Sequence, residues 1–87
     1  MLYTFAKSHY DTADLHAVLE QVKPQDAIVL WQDGVLQAVK NPELFANFNT
    51  FVLKNDLAAR GLSTSLNTIS LAEFVALSEQ YFPQLAL

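Results

Sequence analysis

The chain has 87 residues, of which 52% are hydrophobic and 16% are charged, and its formal net charge is −4. Its five basic residues are scattered singly, which argues against direct nucleic-acid binding, because that binding depends on clustered Lys and Arg. Cysteine is absent, which excludes disulfides, thiolate metal sites and a cysteine nucleophile. One domain of this size, residues 1–87, buries only about 60–65% of its unfolded surface, so the apolar excess predicts contact with another subunit.

The first third of the chain predicts a strand, a helix and a second strand. Leu2–Ala6 is rich in strand-forming residues. The segment after it has apolar side chains at helical spacing, with Asp11 or Thr12 as the expected N-cap and Pro24 beyond its end. Ala27–Trp31 is an unbroken, partly β-branched apolar run, which is typical of a strand buried on both faces of a parallel sheet.

Short helices are predicted on both sides of a third strand, Thr50–Leu53. Asp33 is the expected N-cap of a helix over Gly34–Lys40. Pro42 suits the first position of a further helical piece, because its missing amide is not needed there.

The segment after the third strand predicts another brief helix and a fourth strand. Asn55 or Asp56 is expected to cap the helix, and Gly61 is expected to close it in the left-handed conformation. Asn67–Ser70 is predicted to form the short fourth strand.

The last helix is predicted from a capping box, in which Ser70 and Glu73 bond to each other's backbone amides. Pro83 is expected to stop this helix and to leave residues 84–87 as a tail. The alternation of strands and helices predicts an α/β fold, a three-layer α/β/α sandwich whose parallel sheet has about four strands and right-handed crossovers.

Candidates for chemistry are few, and each has a structural alternative. Asp33 and Asp56 follow strands at the sheet edge where open α/β proteins place ligand sites, although Asp caps helices more often than it catalyses. His9 and His16 are expected at the surface, since their spacing offers no pair of metal ligands. Two glycines are too few for a glycine-rich phosphate loop. No catalytic, cofactor-binding or metal-binding residue is therefore assigned, and the lack of a signal peptide or long apolar span predicts a cytoplasmic protein.

Two segments and the C-terminal end of the chain carry a resemblance to a known family. They are Leu30-Trp31-Gln32-Asp33-Gly34-Val35, then Leu53-Lys54-Asn55-Asp56-Leu57-Ala58-Ala59-Arg60-Gly61-Leu62, and finally Phe74-Val75, Leu77 and Pro83-Gln84. With these features the chain resembles the DsrH/TusB family over nearly its whole length. The resemblance implies a DsrE/F/H-like fold and the role of the B subunit in a TusBCD-like sulfur relay, which 2-thiolates the wobble uridine of certain tRNAs.

The resemblance also implies partners and a role without catalysis. TusC-like and TusD-like subunits would join this chain in a heterohexamer, with no cofactor, and the chain alone would pair with itself. The family's D subunit carries sulfur on a cysteine at the position that Leu53 occupies here, and only a thiolate can carry a persulfide. The chain is therefore expected to be a non-catalytic subunit. Family members often end in tryptophan, whereas this chain ends in Leu87. This difference affects only the expected contact of the C-terminal tail.

Structural or interface roles are expected for six residues: Trp31, Asp33, Gly34, Asp56, Arg60 and Gly61. Trp31 is either a half-exposed anchor for a partner or part of the core. Arg60 is expected to pair with an acidic group. Two other functions stay open: a stand-alone ligand-binding protein or acid–base enzyme that uses Asp33 and Asp56, and a homo-oligomeric interaction protein.

Overall fold

The structure is a computed structural model that describes all residues from 1 to 87. Strands and α-helices alternate along most of the chain, and one 3₁₀ helix, Gln32–Gly34, follows the second strand. In chain order the elements are β1 Leu2–Phe5, α1 Thr12–Gln21, β2 Ala27–Leu30, the 3₁₀ helix, α2 Val35–Lys40, α3 Pro42–Phe45, β3 Thr50–Leu53, α4 Lys54–Ala59, β4 Asn67–Ile69, α5 Leu71–Gln80 and β5 Gln84–Ala86. None of these helices is long and apolar enough to cross a bilayer.

The five strands form one sheet in the order β4-β3-β2-β1-β5, and every neighbouring pair is parallel. Strand β2 lies at the centre of this sheet, and all four of its residues are fully inaccessible to solvent. The prediction from the apolar run Ala27–Trp31 is thus confirmed for Ala27–Leu30. Because parallel strands need crossover helices, both faces of the sheet are covered.

One face of the sheet carries the larger part of the core. Alternate strand residues, Tyr3, Phe5, Ile28, Leu30 and Val52, point to this face. Helices α1 to α4 cover them with the buried side chains Leu15, Leu19, Val35, Ala38, Phe45 and Leu57. Phe5 contacts both Tyr10 and Phe45 edge to face, with ring centroids 5.4 and 5.7 Å apart.

The opposite face of the sheet is covered by α5 alone. Its strand residues Leu2, Ala27, Val29 and Ile69 are buried beneath the half-buried side chains of the helix, chiefly Phe74 and Leu77. No residue of α5 is itself buried. The predicted three-layer α/β/α sandwich is confirmed, with four helices on one face and one on the other.

The sheet has five strands where about four were predicted, because residues 84–86, which were predicted to be part of a tail, form β5. This strand adds to the edge of the sheet beside β1, with Leu2 opposite Gln84 and Thr4 opposite Ala86. The amide of Leu87 donates to the Thr4 carbonyl at 2.8 Å and completes the pairing. This strand has only three residues and all of their side chains are exposed, so the segment is too short for a sequence pattern to identify it as a strand.

Several helix ends agree with the sequence. Asp11 caps α1 by accepting a hydrogen bond from the Asp14 amide, and the Ser70–Glu73 capping box is present at the start of α5. Gly61 follows α4 with a φ of 63°. The amide of Leu62 donates to the Leu57 carbonyl at 2.9 Å, which is the hydrogen bond of a Schellman C-cap.

Candidate functional site

The chain makes an unusual turn directly after the central strand, at the carboxyl edge of the sheet. Gln32 has a φ of 53°, a left-handed conformation that costs an ordinary residue about 1–2 kcal/mol. Three backbone amides around it have partners: Trp31 donates to the Phe5 carbonyl at 3.1 Å, Gly34 donates to the Trp31 carbonyl at 2.9 Å, and Gln32 donates to the Asp56 carboxylate. These hydrogen bonds offset the strain and fix the corner between β2 and α2.

Gly34 lies where this corner passes closest to β1. A Cβ atom on Gly34 would lie 1.8 Å from the carbonyl oxygen of Phe5, well inside contact distance. The φ of Gly34 is −62°, so the position requires glycine for space and not for backbone freedom. Gly61 is the opposite case, because its φ is 63° and an added Cβ would meet nothing within 4 Å.

Asp33, Asp56 and Arg60 come together beside this corner. The guanidinium of Arg60 donates to Asp33 Oδ1 from Nη2 at 2.7 Å and from Nε at 3.2 Å. Its Nη1 donates to the Asp56 carbonyl at 3.1 Å and lies 3.8 Å from the Asp56 carboxylate. The prediction that Arg60 pairs with an acidic group is confirmed, and its guanidinium brings the two aspartates to one place.

The predicted capping roles of the two aspartates are wrong. The 3₁₀ helix runs directly into α2, so the N-cap of α2 is Gly34 and no side chain caps it. Helix α4 begins at Lys54, which places Asp56 inside its first turn and not at its N-cap. The carboxylate of Asp56 instead accepts from the Gln32 amide, at the start of the 3₁₀ helix on another part of the chain.

The cluster of Asp33, Asp56 and Arg60 joins the end of α4 to the corner after β2. Arg60 pairs with both carboxylates, and the Asp56 carboxylate also accepts a hydrogen bond from the Gln32 amide. The Asp33 side chain is 61% exposed, and ion pairs in water contribute only about 0–1 kcal/mol. No group of three or more His, Cys, Asp or Glu side chains is close enough to hold a metal ion.

Leu53 ends β3 next to this cluster. Its side chain is 4% exposed, and its backbone is the N-cap of α4. A leucine here has no nucleophile to present, and the side chain packs into the protein. The position that the resemblance links to sulfur transfer is thus occupied by a buried apolar side chain.

Trp31 packs from the end of β2 against α5. Its ring contacts Phe74 edge to face, with centroids 5.3 Å apart, which makes it part of the smaller core cluster. The indole Nε1 is buried and has no hydrogen-bond partner in the protein. An unpaired buried donor costs about 1–3 kcal/mol, so Trp31 stabilises the α5 layer through its ring and not through its N–H.

One buried acid was missed by the sequence analysis. Asp26 precedes β2 at the opposite, amino edge of the sheet, where it accepts hydrogen bonds from the Lys23 amide at 2.9 Å and from the Met1 ammonium at 3.0 Å. The amide of Lys23 chiefly lowers the pKa of the Asp26 carboxyl, against the raising effect of burial, and the Met1 ammonium lowers it further. The local signal was Pro24, which occupies the second position of the turn closed by the Asp26 amide and the Lys23 carbonyl. His9 and His16 are exposed, as predicted.

Comparison with known proteins gives the family. A family model described as "DsrH like protein" matches residues 7–84. The chain belongs to the DsrH family. The sequence prediction of this family is therefore confirmed, together with its α/β fold.

Relatives of this DsrH-family chain match it from end to end. An uncharacterized protein of Haemophilus influenzae is 43% identical over 95 residues, with all of both chains covered. Proteins named TusB from Yersinia pestis and Cronobacter sakazakii are 41% and 38% identical, each with 99% of both chains covered. The solution NMR structure of protein Tm0979 from Thermotoga maritima is similar to this DsrH-family fold, with a TM-score of 0.67, 29% identity, and 92% of this chain and 93% of that chain covered.

Proposed function

We propose that this DsrH-family chain is a non-catalytic, B-type subunit of a TusBCD-like sulfurtransferase in the relay that 2-thiolates the wobble uridine of tRNA. One observation carries the proposal: proteins named TusB are 38–41% identical to the chain across 99% of both lengths.

The absence of cysteine supports a role without catalysis. Sulfur relays pass a persulfide from one thiolate to the next, and this chain has no thiol with which to take part. The buried Leu53 occupies the position that the family resemblance associates with the carrier cysteine. Under the proposal, the sulfur travels on another subunit and this chain supplies contact surface.

The geometry of the carboxyl edge supports the same role. Asp33 and Asp56, the candidates for an acid–base site, are both held by Arg60. A general acid or base must reach a substrate proton, whereas these carboxylates are engaged in holding α4 against the β2 corner. No observation therefore favours the stand-alone enzyme.

The proposed assembly joins this chain to TusC-like and TusD-like subunits in a heterohexamer in the cytoplasm. Direct contact with tRNA is not part of the proposal, because the chain has a net charge of −4 and its five basic residues do not cluster. The tRNA would be bound elsewhere in the relay.

The proposal is tested by assembly and by thiolation in cells. The chain is produced together with the TusC-like and TusD-like subunits of the same organism, and the complex is weighed by native mass spectrometry. We expect one complex that contains all three subunits. In cells that lack this chain, we expect 2-thiolated wobble uridine to fall to background in digested tRNA and to return when the gene is restored. Unchanged thiolation without the chain would contradict the proposal.

A further inference from the structure

Helix α5 leaves an apolar surface open on the face of the sheet that it alone covers. Its half-buried side chains Phe74 and Leu77 contact the sheet. On the adjoining flank, Leu71 and Val75 lie four residues apart and are 54% and 50% exposed. Phe82, in the connection from α5 to β5, is 72% exposed. We call these three residues, Leu71, Val75 and Phe82, the α5 stripe.

The α5 stripe lies towards β5. Ser78 is three residues from Val75 and therefore lies on the same flank of the helix. The Ser78 carbonyl accepts a hydrogen bond from the Gln84 side chain of β5 at 2.7 Å. The other flank, with Glu73 and Gln80, lies over Phe51 and Ile69, at the β4 side of the sheet. The stripe thus continues from the helix to the edge strand.

A group of large exposed apolar side chains is unfavourable in water and marks a binding surface. Covering such surface contributes about 25 cal/mol per Å². A single exposed apolar residue needs no such explanation, and Val39 on α2, at 42% exposed, is the example in this chain. The α5 stripe differs because Leu71 and Val75 are neighbours on one flank of a helix that has no buried residue, and Phe82, the most exposed of the three, comes two residues after the end of that helix.

The charges near the α5 stripe favour a different protein over a second copy of this chain as its binding partner. Residues 61–87 contain Glu73 and Glu79 but no Lys, Arg or His. Glu79 lies four residues after Val75, beside the stripe, and is exposed. Lys54 lies near the opposite flank, where it helps to lower the pKa of Glu73 after the capping bonds with Ser70. Two copies joined stripe to stripe would therefore place Glu79 against Glu79 without a cation.

We propose that the α5 stripe is the surface by which this chain binds a different subunit, whose matching face is an apolar groove bordered by Lys or Arg. This inference rests on the proposed function and adds to it the contact surface and the chemistry of the partner. The apolar groups supply most of the affinity, and the charges favour the heteromeric pairing over self-pairing.

The first test removes the apolar groups. The double variant Val75→Ser/Phe82→Ser is mixed with the TusC-like and TusD-like subunits, and the affinity is compared with that of the unaltered chain by titration. We expect binding to weaken by about tenfold or more, as at interface hot spots. Val39→Ser is the matched control, since it removes an exposed apolar group on the other layer, and we expect it to bind within about twofold of the unaltered chain.

The second test reverses the charge with Glu79→Lys, which leaves the apolar groups in place. We expect weaker binding at low salt, and a difference from the unaltered chain that shrinks as salt screens the charges. Circular dichroism melts show whether each variant is folded, and the charge reversal tests the proposal even if the double variant does not fold. Equal affinity of folded Glu79→Lys and of the unaltered chain at low salt would overturn the basic border of the partner.

The outcomes separate the stripe from the proposed function. If the unaltered chain binds and the folded double variant binds equally well, the stripe is not the contact surface and the proposed function stands. If the unaltered chain binds neither subunit, both proposals are wrong. If the chain alone forms a dimer that Phe82→Ser dissociates, a second copy is the occupant and the inference is overturned.

Discussion

Replacing Gly34 with alanine would place a methyl group 1.8 Å from the carbonyl oxygen of Phe5. No rotamer relieves this contact, because a Cβ atom is fixed by the backbone. Either β1 or the β2 corner must therefore move. The hydrogen bond from the Trp31 amide to the Phe5 carbonyl, now 3.1 Å long, is the first interaction that such a movement breaks.

The expected loss of stability follows from these contacts. Overpacking costs about 1–3 kcal/mol and a lost hydrogen bond costs about 1 kcal/mol, which gives roughly 2–4 kcal/mol for Gly34→Ala. A domain of this length has a total stability of about 4–13 kcal/mol, so the loss is a large share. The corresponding fall in melting temperature is roughly 10–25 °C.

Gly61→Ala is the matched control, because the chain's other glycine has open space around its missing Cβ. There the cost comes only from the left-handed backbone, about 1–2 kcal/mol. Both variants are measured by urea and thermal unfolding, and hydrogen exchange of the Trp31 amide reports the β2 corner. A steric role of Gly34 is refuted if Gly34→Ala is no less stable than Gly61→Ala, or if the Trp31 amide keeps its protection in the Gly34 variant.

Three further predictions concern charged groups. Arg60→Ala should lower stability by only about 0.5–1 kcal/mol, since its pairs with Asp33 and Asp56 are open to solvent, and the loss should shrink in high salt when urea midpoints are compared. Asp56→Ala should cost about 1–2 kcal/mol and speed exchange of the Gln32 amide, whereas Asp56→Asn, which keeps an acceptor, should restore most of the protection. The folded state of Asp26 has a lowered pKa, so its contribution is present above the unfolded value near 3.8 and is lost as the pH falls through the folded pKa. Melting temperatures of the unaltered chain should therefore fall more steeply below about pH 4 than those of Asp26→Asn, and parallel curves would contradict this.

The sequence predicts the elements whose signal is local. An unbroken apolar run suffices for β2, because only a strand covered on both faces can bury it. The capping box of Ser70 and Glu73 and the left-handed Gly61 depend on residues three or four positions apart, so a single sequence contains them in full. The layer order follows from the alternation of strands and helices.

Features that depend on contacts between distant parts of the chain could not be predicted from local sequence patterns. Strand β5 exists through backbone pairing with β1, and its three exposed side chains are too few to predict that pairing from the sequence. Asp56 accepts a hydrogen bond from the Gln32 amide, 24 positions away, whereas its neighbours in the sequence suggested that it caps the helix after β3. Gly34 was expected to have a structural role, but the sequence does not show that glycine is required there because the Phe5 carbonyl of another strand lies so close.

The function of this chain is indicated by its family resemblance and not by its composition or residue spacing. Composition and spacing exclude phosphate loops, thiol chemistry and a basic binding face, but they do not select a positive function. The match of the DsrH model to residues 7–84 confirms the family that the segments around Asp33 and Arg60 indicate. The structure adds that Asp33 and Arg60 form an ion pair that joins the end of α4 to the corner after β2.

The two edge strands limit how this protein can assemble. Strands β4 and β5 have three residues each, so a strand from another chain would find only a short row of backbone groups at either edge. Native proteins shorten their edge strands in this way to prevent sheets from joining end to end. Growth of the sheet across subunits by strand addition is therefore unfavourable, and subunits of this fold are expected to join through their helical layers.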